Sequence, residues 1–184
     1  TYYYKASDGS FTETHEYISQ DYEGNQLSTT GPIINPDRTI INEPTGTYYK
    51  TGQMNRDAEG YQFVGATGNS PVKDNGEGIQ TGQIIGEEAL TANYKYVRQQ
   101  GRFIENHAFV TEHPDGTLTV DNIFTGLPTD GYSTEKFTTK PKDTDDYTYD
   151  PNRTIISDNF DVENNRYIPV SYTHLRAHET GRNL

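Results

Sequence analysis

Cysteine and tryptophan are absent from this 184-residue sequence, methionine occurs once, and basic residues are scarce. The absence of cysteine excludes disulfide bonds and thiolate metal sites. No apolar run approaches the roughly 20 residues that a membrane-spanning helix needs. Only 15 lysines and arginines stand against 27 aspartates and glutamates, so the net charge is −12 and no basic run is present. We therefore expect neither nucleic acid nor an anionic membrane surface as a partner, and no membrane insertion.

Hydrophobic residues are also few, at 30%, and the mean hydropathy is −0.93. That balance alone is typical of disordered chains. However, 15 tyrosines and 7 phenylalanines supply apolar area and favour half-buried strands. The 17 glycines and 9 prolines are scattered singly, as turn residues are. The composition therefore predicts a mainly β fold of small modules with little helix.

The sequence contains an internal repeat at a shift of 92 residues. Seven identities fall within 23 positions. The identical pairs are Tyr2/Tyr94, Tyr4/Tyr96, Gly9/Gly101, Phe11/Phe103, Glu13/Glu105, His15/His107 and Gly24/Gly116. Further along, NEPTGTYYK (42–50) matches GLPTDGYST (126–134) at a shift of about 85. The chain is therefore expected to contain two copies of one structural unit.

The repeat predicts the domain organisation. Residues 10–98 are expected to form one repeat and residues 99–169 a second, truncated one, joined near residues 99–101. Residues 1–9 match the end of the first repeat, so we expect them to be the final strand of a preceding repeat. Stacked repeats need contacts only with their neighbours, so two elongated modules in line are predicted.

Each repeat is expected to open with a β-hairpin. In THEYISQ (14–20), alternate residues fall on opposite faces of a strand. YEGN (22–25) and HPDGT (113–117) supply turns in which glycine can adopt a positive φ. QLST (26–29) is predicted as the returning strand, and the alternating ANYKYV (92–97) as the strand that closes the repeat.

These landmarks resemble the MucBP (mucin-binding protein) repeats of Gram-positive bacterial surface proteins and related β-grasp-like repeats of wall-anchored adhesins. In the first copy they are YEGN (22–25), GTYYKT (46–51), EGYQFV (59–64) and NYKYVR (93–98). In the second copy they are PDGT (114–117), GYSTEKF (131–137) and DDYTY (145–149). The resemblance implies an extracellular, mainly β module, anchored to a cell wall through other regions. It implies host glycoproteins or mucin glycans, and neighbouring repeats of the same chain, as partners. It transfers no glycan-binding residues.

An acidic stretch, KDTDDYTYD (142–150), is the one candidate calcium site, and no other cofactor is predicted. An EF-hand loop counted from its first aspartate needs glycine at the sixth position and glutamate at the twelfth. Thr148 and Thr154 stand at those positions, so we interpret the stretch as a solvated loop. The candidate ligands are Asp143, Asp145, Asp146 and Asp150.

No catalytic residue is predicted. His15 and His107 occupy equivalent positions, which permits a shared functional histidine, but we interpret them as strand-face residues that recur with the repeat. The sequence contains no G-x-S-x-G, H-E-x-x-H or phosphate-binding glycine loop. The tyrosines offer a sugar-stacking surface as an alternative, although their alternation favours packing between strands.

The C-terminal segment departs from the repeat. His174 and His178 lie four residues apart and precede Glu179, which on a helix suggests a metal site. However, SYTHLRAHETGRNL (171–184) lacks β alternation and resembles the translation of a transposase adapter from sequencing libraries. We therefore expect residues 170–184 to be a non-native artefact without a metal site. Adapter-free genomic sequence is expected to diverge after codon 170, and recovery of the same codons there would contradict this prediction.

The expected function is that of a non-catalytic repeat region in a bacterial adhesin. It serves as a stalk, as a weak mucin-binding module, or as both. The alternative is that these repeats are accessory modules of a large secreted enzyme whose catalytic domain lies outside this sequence. A signal peptide, a wall-sorting motif or a catalytic domain in the complete reading frame would distinguish the two.

Overall fold

The protein is mainly β. Its computed structural model describes residues 1–135, 138, 140–142 and 144–151, and the backbone of strands at 159–161, 166–168 and 172–177. The chain divides into two compact units, unit 1 (Thr1–Gln99) and unit 2 (Gln100–Leu184). Within the residues described, no helix is long and apolar enough to cross a membrane.

Unit 1 is built on one mixed sheet. Its strands are β1 Asp8–Gln20, β2 Gln26–Thr29, β3 Ile33–Ile34, β4 Ile40–Pro44, β5 Tyr48–Thr51, β6 Gln62–Thr67, β7 Gln80–Gln83 and β8 Ala89–Gln99. Its 3₁₀ helices are η1 Pro36–Arg38 and η2 Asp57–Glu59. The sheet order is β2-β1-β8-β6, with β3 and β4 also paired to β1, while β5 and β7 form a separate ribbon. β1 and β8 run parallel, and β2 and β6 flank them in antiparallel pairs.

The hairpin predicted at the start of the repeat is confirmed. β1 and β2 pair in antiparallel register, and Gly24 in the turn has a φ of 90°. The Asp21 carboxylate closes the turn by accepting hydrogen bonds from the backbone N–H groups of Glu23 and Asn25 at 2.9 and 2.8 Å. Along β1, the side chains of His15, Tyr17 and Ser19 are buried on one face, as the alternation predicts.

The core of unit 1 lies between the central strands and the β5–β7 ribbon. The Phe11 ring stacks on the Tyr49 ring with centroids 3.9 Å apart, and the Tyr49 hydroxyl lies 2.8 Å from Ser70 Oγ. A Cβ atom at Gly82 would lie 2.4 Å from the Tyr49 ring, so only glycine admits this packing. The buried members of the core are Phe11, Tyr17, Tyr49, Ile84, Leu90, Ala92, Tyr94 and Tyr96.

Unit 2 contains a sheet with the same arrangement. Its strands are β9 Gly101–Phe103, β10 Asn106–Glu112, β11 Leu118–Thr125, β12 Thr129–Gly131, β13 Tyr147–Tyr149, β14 Asn159–Asp161, β15 Arg166–Ile168 and β16 Tyr172–Ala177. The order is β11-β10-β16-β13, in which β10 and β16 are parallel and the outer strands antiparallel to them. β11, β10, β16 and β13 therefore correspond to β2, β1, β8 and β6.

Backbone pairing corrects the repeat alignment after the hairpin. Gly9 pairs with Glu43 on β4, and Gly101 pairs with Gly131 on β12. The shift between these partners is therefore 88 residues at Gly9/Gly101 and 89 at Phe11/Phe103, rather than the value of about 85 inferred from sequence. The sequence match aligns proline, threonine and tyrosine, whereas strand register is set by the backbone hydrogen bonds.

The first strand also begins earlier than the sequence boundary. β1 starts at Asp8, which pairs with Pro44, so two residues assigned to the preceding repeat belong to this sheet. Residues 1–7 contain no strand. Tyr2, Tyr3 and Tyr4 are 88–93% exposed, so they take no part in the core of unit 1.

The segment that resembles adapter sequence contains β16. Its backbone lies between β10 and β13, where β8 lies in unit 1, although its sequence does not alternate. Strand pairing uses backbone groups that all residue types share, so it is compatible with any origin of the segment. Its non-native origin remains a prediction.

Candidate functional site

A buried carboxylate lies at the centre of unit 1. Glu13, in the middle of β1, is 0% exposed. Its Oε1 accepts hydrogen bonds from Asn35 Nδ2 at 2.7 Å and Arg38 Nη1 at 3.3 Å, and its Oε2 accepts from the Gly52 backbone N–H at 3.0 Å. These partners lie in and beside η1 and directly after β5. Glu13 therefore ties two connecting segments to the central strand.

His15 extends this network along the sheet. Its Nε2 lies 2.9 Å from Glu13 Oε1, and its Nδ1 lies 3.0 Å from the Tyr96 hydroxyl. An ionised carboxylate only accepts hydrogen bonds, so the hydrogen is assigned to Nε2 and Nδ1 accepts from the tyrosine. The Tyr96 oxygen in turn accepts from the Met54 backbone N–H at 2.7 Å. The imidazole also stacks between the Tyr94 and Tyr96 rings, at 5.3 and 5.7 Å.

The surroundings of Glu13 favour its ionised form. Burial raises the pKa of the carboxyl, but hydrogen bonds from His15, Thr51, Asn35 and the Gly52 amide together hold it below its ordinary value. The Arg38 guanidinium supplies the opposite charge. Burial raises the pKa of Tyr96 to about 12, so this hydroxyl keeps its proton at neutral pH. Glu13 and Arg38 therefore form an ion pair, and fixed hydrogen-bond donors hold the carboxylate.

A second buried carboxylate organises the loop that precedes β7. Asp74 is 0% exposed and accepts from the backbone N–H groups of Gln53, Gly76 and Gly78 at 3.0, 2.8 and 3.0 Å. Burial raises the pKa of Asp74, but these backbone hydrogen bonds outweigh it and the pKa lies below its ordinary value. The Asp74 N–H donates to Tyr94 Oη at 3.0 Å, so this loop is also held to β8.

Unit 2 repeats the centre of this arrangement. His107 is buried, and its Nε2 lies 3.3 Å from Glu105 Oε1. The same oxygen accepts from the Lys140 backbone N–H at 3.1 Å, whereas in unit 1 the Gly52 N–H donates to the other oxygen of Glu13. We name each set of carboxylate, histidine and backbone amide a Glu–His clamp. The clamps are Glu13, His15 and Gly52 in unit 1, and Glu105, His107 and Lys140 in unit 2.

Both predicted strand-face histidines therefore serve as internal contacts. Sequence reasoning had identified the histidines but not Glu13, Tyr96 or Asp74. The available signal is that Glu13 and Glu105 each precede a histidine by two residues, a spacing that on a strand places the two side chains on one face. The structure has Glu13 and His15 on β1 in this way, whereas Glu105 lies just before β10. What the sequence could not indicate is which distant segments supply the amide donors.

The calcium candidates do not form a cluster among the residues described. Asp145 and Asp146 are exposed, Asp150 is buried, and Asp143 lies outside the described residues. In the part of the chain covered by the structure, no group of three or more His, Asp or Glu side chains is placed to hold a metal ion. His174 lies in β16, of which only the backbone is described, and His178 lies outside the description.

Each unit also contains a surface groove beside an equivalent pair of aromatic rings. Strand register shows which residues of the two edge strands are equivalent. In unit 1, Gln62 on β6 pairs with Val97, which in turn pairs with Ile18. In unit 2, Thr148 on β13 pairs with Arg176, which in turn pairs with Val110, the equivalent of Ile18. The residues before Gln62 and Thr148, which are Tyr61 and Tyr147, are therefore equivalent.

Each of these tyrosines contacts an aromatic ring of the central strand. Tyr61 makes a T-shaped contact with Tyr17 at 5.3 Å, and Tyr147 makes one with Phe109 at 5.1 Å.

The two grooves are open and mostly polar or mixed in character. The unit-1 groove, of about 310 Å³, is lined by residues 53–57, Tyr61 and Phe63. The unit-2 groove, of about 400 Å³, has a lining that includes Phe109, Asp121, Asn122, Phe124, Lys142 and Tyr147. In both, residues of the segment before the edge strand (β6 or β13) line the groove.

No protein-family profile matches the chain, and no curated protein matches it. The resemblance to MucBP repeats therefore remains a prediction from the residues that carry it.

Proposed function

We propose that this chain is a non-catalytic, extracellular repeat region of a bacterial cell-surface adhesin, which spaces a distal part of the protein and binds host glycoprotein weakly. The supporting observation is that the two units share both a sheet order and a Glu–His clamp. A repeated clamp is what a module copied for its structure retains, although Glu13 is fully buried and Glu105 is 23% exposed. In both units the carboxylate accepts hydrogen bonds from the histidine and from a backbone N–H of a connecting segment.

The charge of the chain limits how such modules bind glycans. With a net charge of −12, they repel sialylated or sulfated mucin. Exposed charges are screened over about 8 Å at physiological ionic strength, so contact is permitted but electrostatic steering toward the glycan is absent. Affinity then depends on aromatic faces and hydrogen bonds, is weak for one chain, and becomes useful through many linked copies.

The test compares one, two and four tandem copies of the chain on immobilised mucin. We expect barely detectable binding by one copy and an apparent affinity at least about 10²-fold higher for four copies, because later contacts form at high effective concentration. Sialidase treatment of the mucin is expected to increase binding, since it removes repelling charge. Tight binding by a single copy would contradict the proposal that each module binds weakly. If four copies do not bind at any salt concentration, glycan binding is refuted and only the role as a spacer remains.

A further inference from the structure

We propose that each unit binds one neutral pyranose residue of a glycan in its groove, with Tyr61 or Tyr147 marking the equivalent position. This inference rests on the proposed function and assigns its binding site. The first support is that each groove contains one member of the equivalent pair Tyr61 and Tyr147, whose rings make T-shaped contacts with Tyr17 and Phe109. The second is that both grooves combine aromatic rings with polar side chains, although the other lining residues differ.

The unit-1 groove presents hydrogen-bonding groups that the protein itself leaves available. Within the described residues, the side-chain amide of Gln53 and the carboxylate of Asp57 make no hydrogen bond. The side-chain amide of Asn55 uses only its oxygen, which accepts from Asp57 N–H at 2.9 Å. Free donors and a free acceptor therefore face one space beside the Tyr61 and Phe63 rings. That combination suits a ligand whose hydroxyl groups both donate and accept, on a ring with an apolar face.

The unit-2 groove offers the same chemistry from different residues. Among the residues that the structure covers, the side-chain amide of Asn122 makes no hydrogen bond. The Asp121 carboxylate accepts from Thr111 Oγ1 and Tyr147 Oη at 2.7 and 3.1 Å, which fixes its direction at the groove wall. The Lys142 ammonium lies 3.5 Å above the centre of the Phe124 ring. Aromatic rings, an amide, a carboxylate and a cation again meet at one surface.

Size and charge select a neutral sugar. Volumes of about 310 and 400 Å³ lie at the small end of ligand sites, which suits a single sugar ring. Each groove contains one cation and one carboxylate, Arg56 with Asp57 and Lys142 with Asp121, so neither has an excess of positive charge. The chain as a whole is strongly acidic. An anionic sugar is therefore disfavoured relative to a neutral one.

The experiment is a titration of the complete ¹⁵N-labelled chain with methyl β-galactopyranoside, followed by backbone amide resonances. We expect saturable shifts at residues 53–57 and Tyr61, and at Asn122 and Tyr147, with little change elsewhere. Glycerol, which has hydroxyls but no ring, is expected to produce none. The methyl glycoside of sialic acid is expected to bind about tenfold more weakly because of the acidic surroundings. Shifts confined to other surfaces, or none with the galactoside, would overturn the assignment.

Single substitutions distinguish sugar binding in the unit-1 groove from sugar binding in the unit-2 groove. Asp57→Ala removes an exposed carboxylate in the first turn of η2 and is expected to weaken sugar binding in unit 1 about tenfold, with unit 2 as the internal control. Asp37→Ala is the matched control, because Asp37 occupies the first turn of η1 outside the groove. Asn122→Ala is expected to weaken unit 2 alone. Equal effects of the Asp57 and Asp37 substitutions would overturn the proposal.

Mucin binding by tandem copies distinguishes this inference from the function on which it rests. If tandem chains carrying both Asp57→Ala and Asn122→Ala bind mucin as well as the unmodified tandem chain, the groove assignment is wrong and the proposed function stands. If the grooves bind galactoside but unmodified tandem chains do not bind mucin, the groove assignment is correct and the proposed binding of host glycoprotein is wrong.

Discussion

Replacing Glu13 with alanine is expected to lower the free energy of unfolding of unit 1 by about 3–5 kcal/mol, because it removes one partner of a buried ion pair. The substitution leaves His15 Nε2, Asn35 Nδ2 and the Gly52 N–H without their acceptor. Urea unfolding followed by the amide resonances of β1 and β8 measures the change. Since small domains are stable by only about 5–15 kcal/mol, this one side chain accounts for a large share of the total.

Glu16→Ala is the matched control on the same strand. Glu16 lies on the opposite face, where its contacts are Lys95 Nζ at 3.9 Å and Thr29 Oγ1 at 3.2 Å. An exposed pair of this kind contributes less than about 1 kcal/mol. Similar losses of unfolding free energy for the two variants would show that burial of the Glu13 network does not contribute to the stability of unit 1.

The pH dependence gives a second measurement through Glu13→Gln, which keeps the shape of the side chain and removes its charge. The pKa of Glu13 in the folded protein lies below the ordinary value of 4.5. Its ionised form therefore contributes stability that is fully present above pH 4.5 and is lost as the pH falls through the folded-state pKa. The stability difference between wild type and Glu13→Gln is expected to shrink below pH 4.5. A difference that stays constant from neutral to strongly acidic pH would contradict an ionised Glu13.

Gly68→Ala is expected to cost about 2–4 kcal/mol, from a strained backbone and a collision with the central strand together. Gly68 follows β6 with a φ of 107°, and a Cβ atom there would lie 2.2 Å from the Thr91 carbonyl oxygen of β8. Thr91 belongs to a strand paired on both sides, so its backbone cannot move without disturbing the sheet. Urea unfolding of the variant gives the cost directly.

Gly76→Ala provides a control with almost the same backbone conformation. Gly76 has a φ of 108°, but nothing lies within 4 Å of an added Cβ. The free energy of unfolding of Gly76→Ala is expected to fall by only about 1–2 kcal/mol, which is the cost of placing an L-amino acid at a positive φ. The difference between the two variants then measures the collision. Equal losses would mean that Thr91 relaxes freely.

Local sequence patterns determined the β class and the hairpins. Alternation in β1 requires that His15, Tyr17 and Ser19 share a face, and Gly24 and Gly116 supply the positive φ that the turns need. The identity of Glu13 and Glu105, each two residues before a histidine, is also visible in the sequence. These features depend on residues that are near one another in the chain, so the local sequence pattern is sufficient to predict them.

The tertiary structure alone decided which distant groups meet. The parallel pairing of β1 with β8 brings Tyr94 and Tyr96 to His15, across about 80 residues of chain, and the η1 and β5 connections deliver the donors to Glu13. No local pattern encodes such a meeting, because burying a carboxylate is favourable only where several separate donors converge on it. The equivalence of Tyr61 with Tyr147 likewise depends on strand register, which the backbone sets.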